Sequence, residues 1–330
     1  MDELLTALRA AGEPTRLRIL ATLASGELAV SELTQVLLQS QPRISRHLKL
    51  LADAGLVRRH PEGSWVFYRL EDSGGSAQMV SQLLAALPGD DHVLLRDKER
   101  LAQVRAERAA RAQAYFATNA VGWDELRARH IPETQVEAAM ADLIGDGENP
   151  SLLVDLGTGT GRMLEVFASR AVRAIGFDIS PDMLTIARDK IDRAGLDNCQ
   201  VRQGDCANVP LADGEAELVV MHQVLHFLDD PQAALAEAER ITAPGGQILI
   251  ADFLPHDLEF LRDEHAHRRL GFADADMEKW LSRLGLTSGS ARHLPAADND
   301  LTVALWTAQK PISGQNNGAR KGQSKARERN

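Results

Sequence analysis

Strand-like apolar runs alternate with helical stretches between residues 150 and 310, and this alternation restricts the possible folds more than any other feature of the chain. The runs are SLLVDL, VRAIGFDI, QVRQGD, AELVVMH, QILIADF and LTVALWTA. Strands joined by helical crossovers pair in parallel and carry helices on both faces of the sheet. We therefore predict an α/β domain with a doubly wound, mostly parallel sheet.

The first run leads directly into a glycine turn, GTGTG, at residues 157–161. Residues without side chains let a ligand approach the backbone closely. A dinucleotide fingerprint needs a glycine three positions after its second glycine, where this chain has Arg162. Asp155, just before the turn, would repel a pyrophosphate but would neutralise an ammonium group directly or through water. The turn therefore favours an amine-bearing ligand over a dinucleotide.

Two further acids close the next two strand-like runs. Asp178 stands where an acid accepts hydrogen bonds from both hydroxyls of a ribose. Asp205 stands where an acid accepts a bond from an adenine amino group. Together with Asp155 they suit a ligand with an amine, a ribose and an adenine, which S-adenosylmethionine combines. A solvated strand end or a helix cap is the alternative interpretation of each acid.

The first seventy residues predict a different architecture. One helical pattern starts after Gly12, a second covers Val30 to Leu38, and a third follows Ser40 and ends at Gly55. The run LVRRHPEGSWVFYRL then predicts a hairpin with its turn at residues 61–63. Helices followed by a basic hairpin in this order are typical of a winged helix-turn-helix, an α+β domain.

The third helix has one apolar and one polar face. The apolar face consists of Ile44, His47, Leu48 and Leu51. The polar face offers cationic and hydrogen-bonding groups for phosphates and base edges. We predict DNA contacts from Gln41, Arg43, Ser45, Arg46 and Lys49 on the helix and from Arg58 and Arg59 in the hairpin. A solvated charged face is the alternative interpretation.

Charge is distributed unevenly along the chain, whose net charge is -10. Residues 1–70 carry +2, residues 71–309 carry -17 and residues 310–330 carry +5. Basic ends around an acidic middle favour nucleic-acid contact at the ends. Residues 311–330 have almost no apolar side chains and are predicted to form a disordered basic tail, either solvated or in nonspecific contact with DNA.

The run PTRLRIL, the stretch SRHLKLLADAGLV and the aromatic strand of the hairpin resemble the ArsR-type bacterial repressors over roughly residues 5 to 70. The resemblance implies a homodimer that binds operator DNA, with MVSQLLAAL as the dimer-forming helix. Metal-sensing members carry paired cysteines in the stretch that matches GELAVSEL. Ala29 and Ser31 stand there in this chain, so we expect no metal site.

The second half resembles the class I S-adenosylmethionine-dependent methyltransferases, including the quinone-biosynthesis C-methyltransferases, over about residues 110 to 310. The matching pieces are LVDLGTGTGR, GFDISPDML, QGDCANVPL, DGEAELVVMHQVLHFLDDP and RITAPGGQILIADF. The resemblance implies a Rossmann-like, mostly parallel seven-stranded sheet and S-adenosylmethionine or S-adenosylhomocysteine as ligand.

The same resemblance assigns roles to individual residues. The methionine moiety is assigned to Asp155, Gly157, Thr158, Gly159 and Gly161. The ribose is assigned to Asp178 and the adenine edge to Asp205. Tyr115 and Phe116 match an aromatic pair that covers the cofactor, and plain packing is the alternative for these two.

Catalytic candidates follow the fourth strand-like run, at His222 and His226. Methyl transfer needs an aligned nucleophile and sometimes a base that removes its proton; a structural role is the alternative for both histidines. Cys199 and Cys206 are the only two cysteines, too few for arsenite methylation or a disulfide framework, and in agreement with a reducing compartment.

The predicted domains follow one another along the chain. They are a winged helix-turn-helix with dimerisation helix at 1–88, a helical linker at 89–124, a methyltransferase domain at 125–310 and the tail at 311–330. No apolar run approaches the roughly 20 residues of a membrane span, and acids near the N-terminus argue against a signal peptide. We expect a cytoplasmic protein without a membrane partner.

Two functions fit these features. In the first, the protein is a transcriptional regulator in which S-adenosylmethionine, S-adenosylhomocysteine or a methylation reaction alters operator binding. In the second, it is an active methyltransferase on an unknown small acceptor, and the winged helix serves dimerisation or autoregulation.

Overall fold

A computed structural model of the chain describes residues 2–62, 64–72, 74–124, 133–145, 147, 149–295 and 301–312. Internal contacts divide these residues into two units. The N-terminal unit contains the residues up to Tyr115 together with Asp257–Leu270, and the C-terminal unit contains Phe116–His256 and the residues from Gly271 onward. The predicted basic tail lies outside the described residues, except for its first two positions.

The N-terminal unit is a winged helix-turn-helix, as predicted. Its elements are α1 (Asp2–Ala11), α2 (Pro14–Leu23), β1 (Leu28–Ala29), α3 (Val30–Leu37), α4 (Gln41–Asp53), β2 (Val57–Glu62), β3 (Trp65–Leu70), α5 (Gly74–Ala85), α6 (His92–Asn119) and, from later in the chain, a short helix at Phe260–His265. Helix α6 belongs to this unit up to Tyr115, and its last four residues belong to the C-terminal unit. The three strands form an antiparallel sheet in the order β1-β3-β2.

Local sequence explains where these helices begin and end. Pro14 opens α2, and the Glu13 carboxylate accepts the backbone N–H of Arg16 at 2.9 Å. After α4, Gly55 adopts a left-handed backbone with φ of 69°. The apolar face of α4 is buried as predicted, since Ile44 and Leu48 have no exposed surface. This face anchors the helix against the core and leaves the opposite face free for contacts.

The C-terminal unit is built around a larger sheet. Its elements are 3-10 turns at Ala120–Gly122, Ala168–Arg170 and Leu225–Phe227, with α7 (Glu133–Ile144), β4 (Leu152–Leu156), α8 (Arg162–Phe167), β5 (Arg173–Asp178), α9 (Pro181–Ala194), β6 (Cys199–Gln203), β7 (Ala216–His222), α10 (Pro231–Ile241) and β8 (Thr242–Phe253). The helix at Phe260–His265, in the other unit, is α11. The chain then adds α12 (Asp274–Arg283), β9 (Thr287–Ser288), β10 (Arg292–Pro295) and β11 (Thr302–Gln309).

The strand order confirms the predicted fold. Seven strands follow the order β10-β11-β8-β7-β4-β5-β6, and the two-residue strand β9 pairs with β11 outside this path. The pairs from β6 through β8 are parallel, whereas β11 runs antiparallel to its partners. The order reverses at β4, which lies between β5 and β7. In sheets of this kind the ligand crevice opens at the carboxyl ends of the strands beside such a reversal.

The structure groups Asp257–Leu270 differently from the consecutive domains predicted along the chain. This segment follows β8 and precedes α12, yet its contacts lie within the N-terminal unit. Its arginines pair with glutamates near the start of the chain, and local periodicity carries no signal of such distant pairings. Among the described residues, no helix combines the length and the apolarity needed to cross a membrane.

Candidate functional sites

The glycine turn after β4 is held by the neighbouring strand. The backbone N–H groups of Gly157 and Thr158 donate to the carbonyl of Phe177 at 2.8 and 2.9 Å. Gly157, Gly159 and Gly161 all have positive φ angles, which side-chain-bearing residues rarely adopt. A Cβ on Gly157 would stand 2.2 Å from a methyl carbon of Val224. Glycine is therefore required here for both conformation and space.

Asp178, at the end of β5, is bound to this turn. One carboxylate oxygen accepts the N–H of Gly159 and the other accepts the N–H of Ser180, both at 2.8 Å. Burial raises the pKa of the Asp178 carboxyl above its ordinary value, although the backbone N–H donors of Ser180, Gly159 and Ile179 act in the opposite direction. Each oxygen has a further lone pair, so the two bonds orient the carboxylate without saturating it.

The three predicted acids lie at or near the carboxyl ends of the neighbouring strands β4, β5 and β6. Asp155 is buried in β4, and Asp205 is exposed after β6, where its carboxylate accepts the N–H of Ala207 at 2.9 Å. Burial raises the pKa of the Cys206 thiol, and the charges of Asp178, Asp205 and Asp155 raise it further. All three carboxylates therefore act electrostatically on the thiol of Cys206, although Asp155 and Asp205 are 50 positions apart in the sequence.

Thr158 supplies a polar group that fits a ligand at this turn. Its hydroxyl is buried and has no hydrogen-bond partner among the described residues. A Cβ on Gly176 of β5 would stand 2.5 Å from that hydroxyl, so glycine makes the room in which it lies. A buried hydroxyl without a partner is costly, and a polar ligand would relieve that cost. The glycines, the hydroxyl and the acids thus suit an amine-bearing nucleoside.

The two candidate catalytic histidines lie at the same edge of the sheet. His222 ends β7 and is buried. His226 is buried four residues later, and its Nδ1 lies 2.7 Å from Oδ1 of Asp252 on β8. Between the histidines, Gln223 has a φ of 52°, and such strained backbone concentrates at functional sites. The contact between His226 and Asp252 was not predicted, because His226 lies in the turn at Leu225–Phe227 and Asp252 lies in β8, 26 positions later.

The predicted DNA-contact residues on α4 share one exposed face. The exposed set is Gln41, Arg43, Ser45, Arg46 and Lys49. In the hairpin, Arg59 is exposed, whereas Arg58 is half-buried and bonds to Glu71 at 2.8 and 2.5 Å. Arg58 therefore has an internal carboxylate partner that was not predicted, whereas the exposure of the polar face of α4 agrees with the amphipathic pattern.

Two family models match the chain. Residues 13–59 match the family described as "Bacterial regulatory protein, arsR family". Residues 154–250 match the family described as "Methyltransferase domain". The chain joins an ArsR-type winged helix-turn-helix to a class I methyltransferase domain. Both resemblances are confirmed, and with them S-adenosylmethionine as the cofactor that this domain class uses.

Curated relatives cover part of this methyltransferase fusion. The chain is 34% identical over 108 residues to the demethylmenaquinone methyltransferase of Thermus thermophilus, covering 32% of this chain and 49% of that protein. It is 32% identical over 120 residues to the malonyl-[acyl-carrier protein] O-methyltransferase of Serratia marcescens, covering 36% and 45%. The chain spans about half the length of these relatives.

A solved structure shares the fold. A chain of the complex between the Haloferax volcanii Trm112 methyltransferase activator and a methyltransferase matches with a TM-score of 0.51 and 22% identity. The match covers 59% of this chain and 97% of that chain. At this identity it supports the fold of the methyltransferase domain alone.

The structure places further polar residues at the glycine turn that were not predicted. The hydroxyl of Thr160, in the glycine turn, donates to Asp124 at 2.7 Å, and the ammonium of Lys190 bonds to both. Trp123 also lies at the turn, since a Cβ on Gly159 would stand 3.8 Å from its indole nitrogen. Lys190, on the helix that packs against the turn, could have indicated a polar contact there. Its partner Asp124 lies 66 positions earlier in the sequence, so the pair was not predictable from local pattern.

The predicted aromatic pair divides between the units. Phe116 packs edge-on against Trp123 and Phe227 within the methyltransferase domain, at 5.4 and 5.0 Å between ring centres. Tyr115 bonds through its hydroxyl to Nδ1 of His265 at 2.9 Å within the N-terminal unit. Neighbours in sequence thus serve different units, because α6 passes from one to the other between them.

Proposed function

We propose that this protein is a DNA-binding transcriptional regulator in which S-adenosylmethionine, S-adenosylhomocysteine or a methylation reaction alters operator binding. The observation that carries the proposal is the placement of Asp257–Leu270. This stretch is part of the crossover between β8 and α12 of the methyltransferase sheet, yet it packs as an integral part of the winged helix unit.

The ends of this stretch are fixed in the methyltransferase domain. The N–H of Phe272 donates to the carbonyl of Phe253, the last residue of β8, at 2.8 Å. The neighbouring Asp252 holds the candidate catalytic His226. A conformational change at the carboxyl end of β8 would therefore be transmitted to the winged helix unit through only a few residues of chain. Coupling requires a ligand that favours one arrangement of this chain over another.

The ligand-binding part of the proposal assigns the methionine moiety to Asp155 and the glycine turn, the ribose to Asp178 and the adenine edge to Asp205. The orientation of Asp178 by Gly159 and Ser180 supports its assignment, because an anchored carboxylate presents its free lone pairs in fixed directions. The buried hydroxyl of Thr158 supports a polar ligand beside the turn.

Operator binding is proposed for a homodimer. The face of α4 offers Arg43, Arg46 and Lys49 to the duplex. Helix α1 exposes Leu4, Leu5 and Leu8, with 49%, 40% and 44% of their surface accessible. Three exposed leucines on one short helix favour burial against a second chain. Multi-angle light scattering of the full chain tests the dimer.

A ligand titration tests the coupling. Operator sequences are first selected from random duplexes with the full-length protein, and their affinity is then measured with increasing S-adenosylmethionine or S-adenosylhomocysteine. We expect the two ligands to change the DNA affinity by different factors. Asp178→Asn should abolish the response, and Asp182→Asn, an exposed acid on α9, should preserve it. Equal DNA affinity at all concentrations of both ligands would refute the coupling.

Methyl transfer to an acceptor is a second proposed function, favoured by the buried pair of His226 and Asp252. A carboxylate on Nδ1 fixes the tautomer and the orientation of an imidazole, which is what a general base requires. The chain shows no acceptor, so transfer of tritiated methyl groups to fractionated small molecules of a cytoplasmic extract is the appropriate assay. Transfer lost in His226→Asn and retained in wild type would support this function.

A further inference from the structure

Residues Asp257–Leu270, here called the wing cover, lie on the hairpin and on the start of α3. The guanidinium of Arg262 donates to Glu62, at the end of β2, at 2.5 Å. Arg268 donates to Glu32 at 3.1 Å, and Arg269 donates to Glu27 at 2.8 Å. The three arginine side chains expose only 3%, 6% and 6% of their surface. All three arginines of the wing cover are therefore neutralised by glutamates within the unit.

Aromatic side chains of the hairpin complete this contact. The Arg269 guanidinium lies 4.4 Å from the centre of the Phe67 ring, and Arg262 lies 5.1 Å from the centre of the Trp65 ring. Cations over aromatic faces are attracted by the ring quadrupole, more strongly when water is excluded. The wing cover is thus held on the hairpin by both ion pairs and stacking.

Most acidic side chains of the wing cover, in contrast to its buried arginines, are exposed. Asp257, Asp263 and Glu264 are exposed. A fourth acid, Glu259, accepts the backbone N–H of Ser64 at the tip of the hairpin, at 2.5 Å. With its arginines neutralised and its acids exposed, the wing cover presents negative charge beside the hairpin. An exposed negative surface repels a nucleic-acid backbone over about one Debye length, roughly 8 Å at physiological salt.

The bond between Glu259 and Ser64 has the chemistry of a phosphate contact. Backbone N–H groups are among the donors that proteins offer to DNA phosphates, and an anionic oxygen is the acceptor in both cases. A carboxylate oxygen on the tip of the hairpin thus occupies a donor that a bound duplex would use.

We propose that the wing cover is an intramolecular competitor of DNA, in which Glu259 stands in for a phosphate at the tip of the wing and the exposed acids repel the duplex. The proposal rests on the DNA binding proposed above and adds its regulation. Release of Glu259 from Ser64 frees the wing for the duplex, while the buried arginines keep the segment attached to the unit. The wing cover thereby sets how tightly the unit binds DNA.

The test uses the full chain and a fluorescent random-sequence duplex of about 30 base pairs, long enough for one dimer. The variants are Glu259→Ala, which removes charge and acceptor, and Glu259→Gln, which removes the charge alone. The matched control is Glu278→Gln, an exposed acid on α12 in the methyltransferase domain. Thermal unfolding of each variant establishes that the fold is retained.

We expect Glu259→Ala to tighten duplex binding about three- to tenfold, the range of one ordinary hydrogen bond. Glu259→Gln should tighten it less, and Glu278→Gln should leave it unchanged. Replacing Asp263 and Glu264 with their amides should tighten binding at low salt and lose that effect at high salt.

Two outcomes contradict the proposal in distinguishable ways. If wild type binds the duplex in a salt-dependent manner and the Glu259 variants bind with equal or lower affinity, the wing cover is a structural part of the unit and the proposal is overturned. If neither wild type nor any variant binds the duplex, DNA binding itself fails and both proposals fall.

Discussion

The buried guanidinium of Arg269 forms an ion pair with the partly buried carboxylate of Glu27, 242 positions earlier in the sequence, at 2.8 Å. Glu62 also lies 3.6 Å from this guanidinium. Burial of Arg269 alone would lower its pKa, but Glu27 and Glu62 raise it above the ordinary value. The pair joins the end of the wing cover to the residue that precedes β1 in the winged helix unit.

Replacement of this arginine tests how far the N-terminal unit depends on the wing cover. Arg269→Met leaves the partly buried Glu27 without this partner and removes one of the two arginines that face Glu62, which should destabilise the unit by about 3 kcal/mol. Hydrogen exchange of peptides from β2 and β3 measures the effect. Arg193→Met is the control, because Arg193 pairs with Asp189 on the surface of α9 with 79% of its side chain exposed and should cost less than about 1 kcal/mol. Equal protection in both variants would contradict the expectation.

Leu38 is the site of an expected gain in stability. It ends α3 with φ of 54° and ψ of 47°, the left-handed conformation, and 71% of its surface is exposed. Leu38→Gly removes the steric penalty of a side chain there without loss of buried surface, so unfolding should cost about 1 kcal/mol more. Urea unfolding measures the change. In contrast, Leu95→Gly, inside α6 and 46% exposed, should cost about 1 kcal/mol.

Asp178 is expected to carry much of the affinity for the adenosyl ligand. Asp178→Asn replaces a charged acceptor with a neutral amide, so the dissociation constant of S-adenosylhomocysteine should rise roughly tenfold or more. Isothermal titration calorimetry measures it, with Asp182→Asn as the charge-matched control. Because Asp178 also binds Gly159 and Ser180, a melting curve must show that the turn is intact. An unchanged affinity would remove Asp178 from the site.

The pH dependence of ligand binding follows from the same carboxyl group. Burial raises the pKa of Asp178, so its proton is taken up at a higher pH than that of an ordinary aspartate. Ribose hydroxyls donate to the ionised form, and binding therefore favours loss of the proton. Affinity for S-adenosylhomocysteine should be full above the raised pKa and fall as the pH drops through it. The profile should flatten in Asp178→Asn, and a pH-independent wild type would contradict the assignment.

Glu32 connects acid stability to the wing cover. Burial would raise the pKa of Glu32, but the charges of Arg268 and Arg108 hold it below the ordinary value. A lowered pKa contributes stability that is present at neutral pH and lost as the pH falls through the folded-state value. The free energy of unfolding of the N-terminal unit should therefore fall as the pH drops, which urea midpoints measured across pH would show. In Glu32→Gln the decrease over the same pH range should be smaller than in wild type, because the ionised carboxylate is already absent.

The kinds of domain and the edge of the sheet where acidic residues gather could be predicted from local patterns in the sequence. The alternation of apolar runs predicted the parallel sheet, and the glycine turn with Asp155, Asp178 and Asp205 predicted where acids would gather, because the ends of parallel strands meet at one edge. The period of α4 predicted which side chains it exposes. These are local patterns, and local geometry follows from nearby residues.

Contacts between groups distant in the sequence became known only from the folded structure. It placed Asp252 on His226, Lys190 on Asp124, Glu71 on Arg58 and, above all, the wing cover on the winged helix unit. Each joins charged or polar groups that are not neighbours along the chain, and such pairing leaves no periodic signal. It arises because a charge that is buried on folding must find an opposite charge wherever the chain brings one.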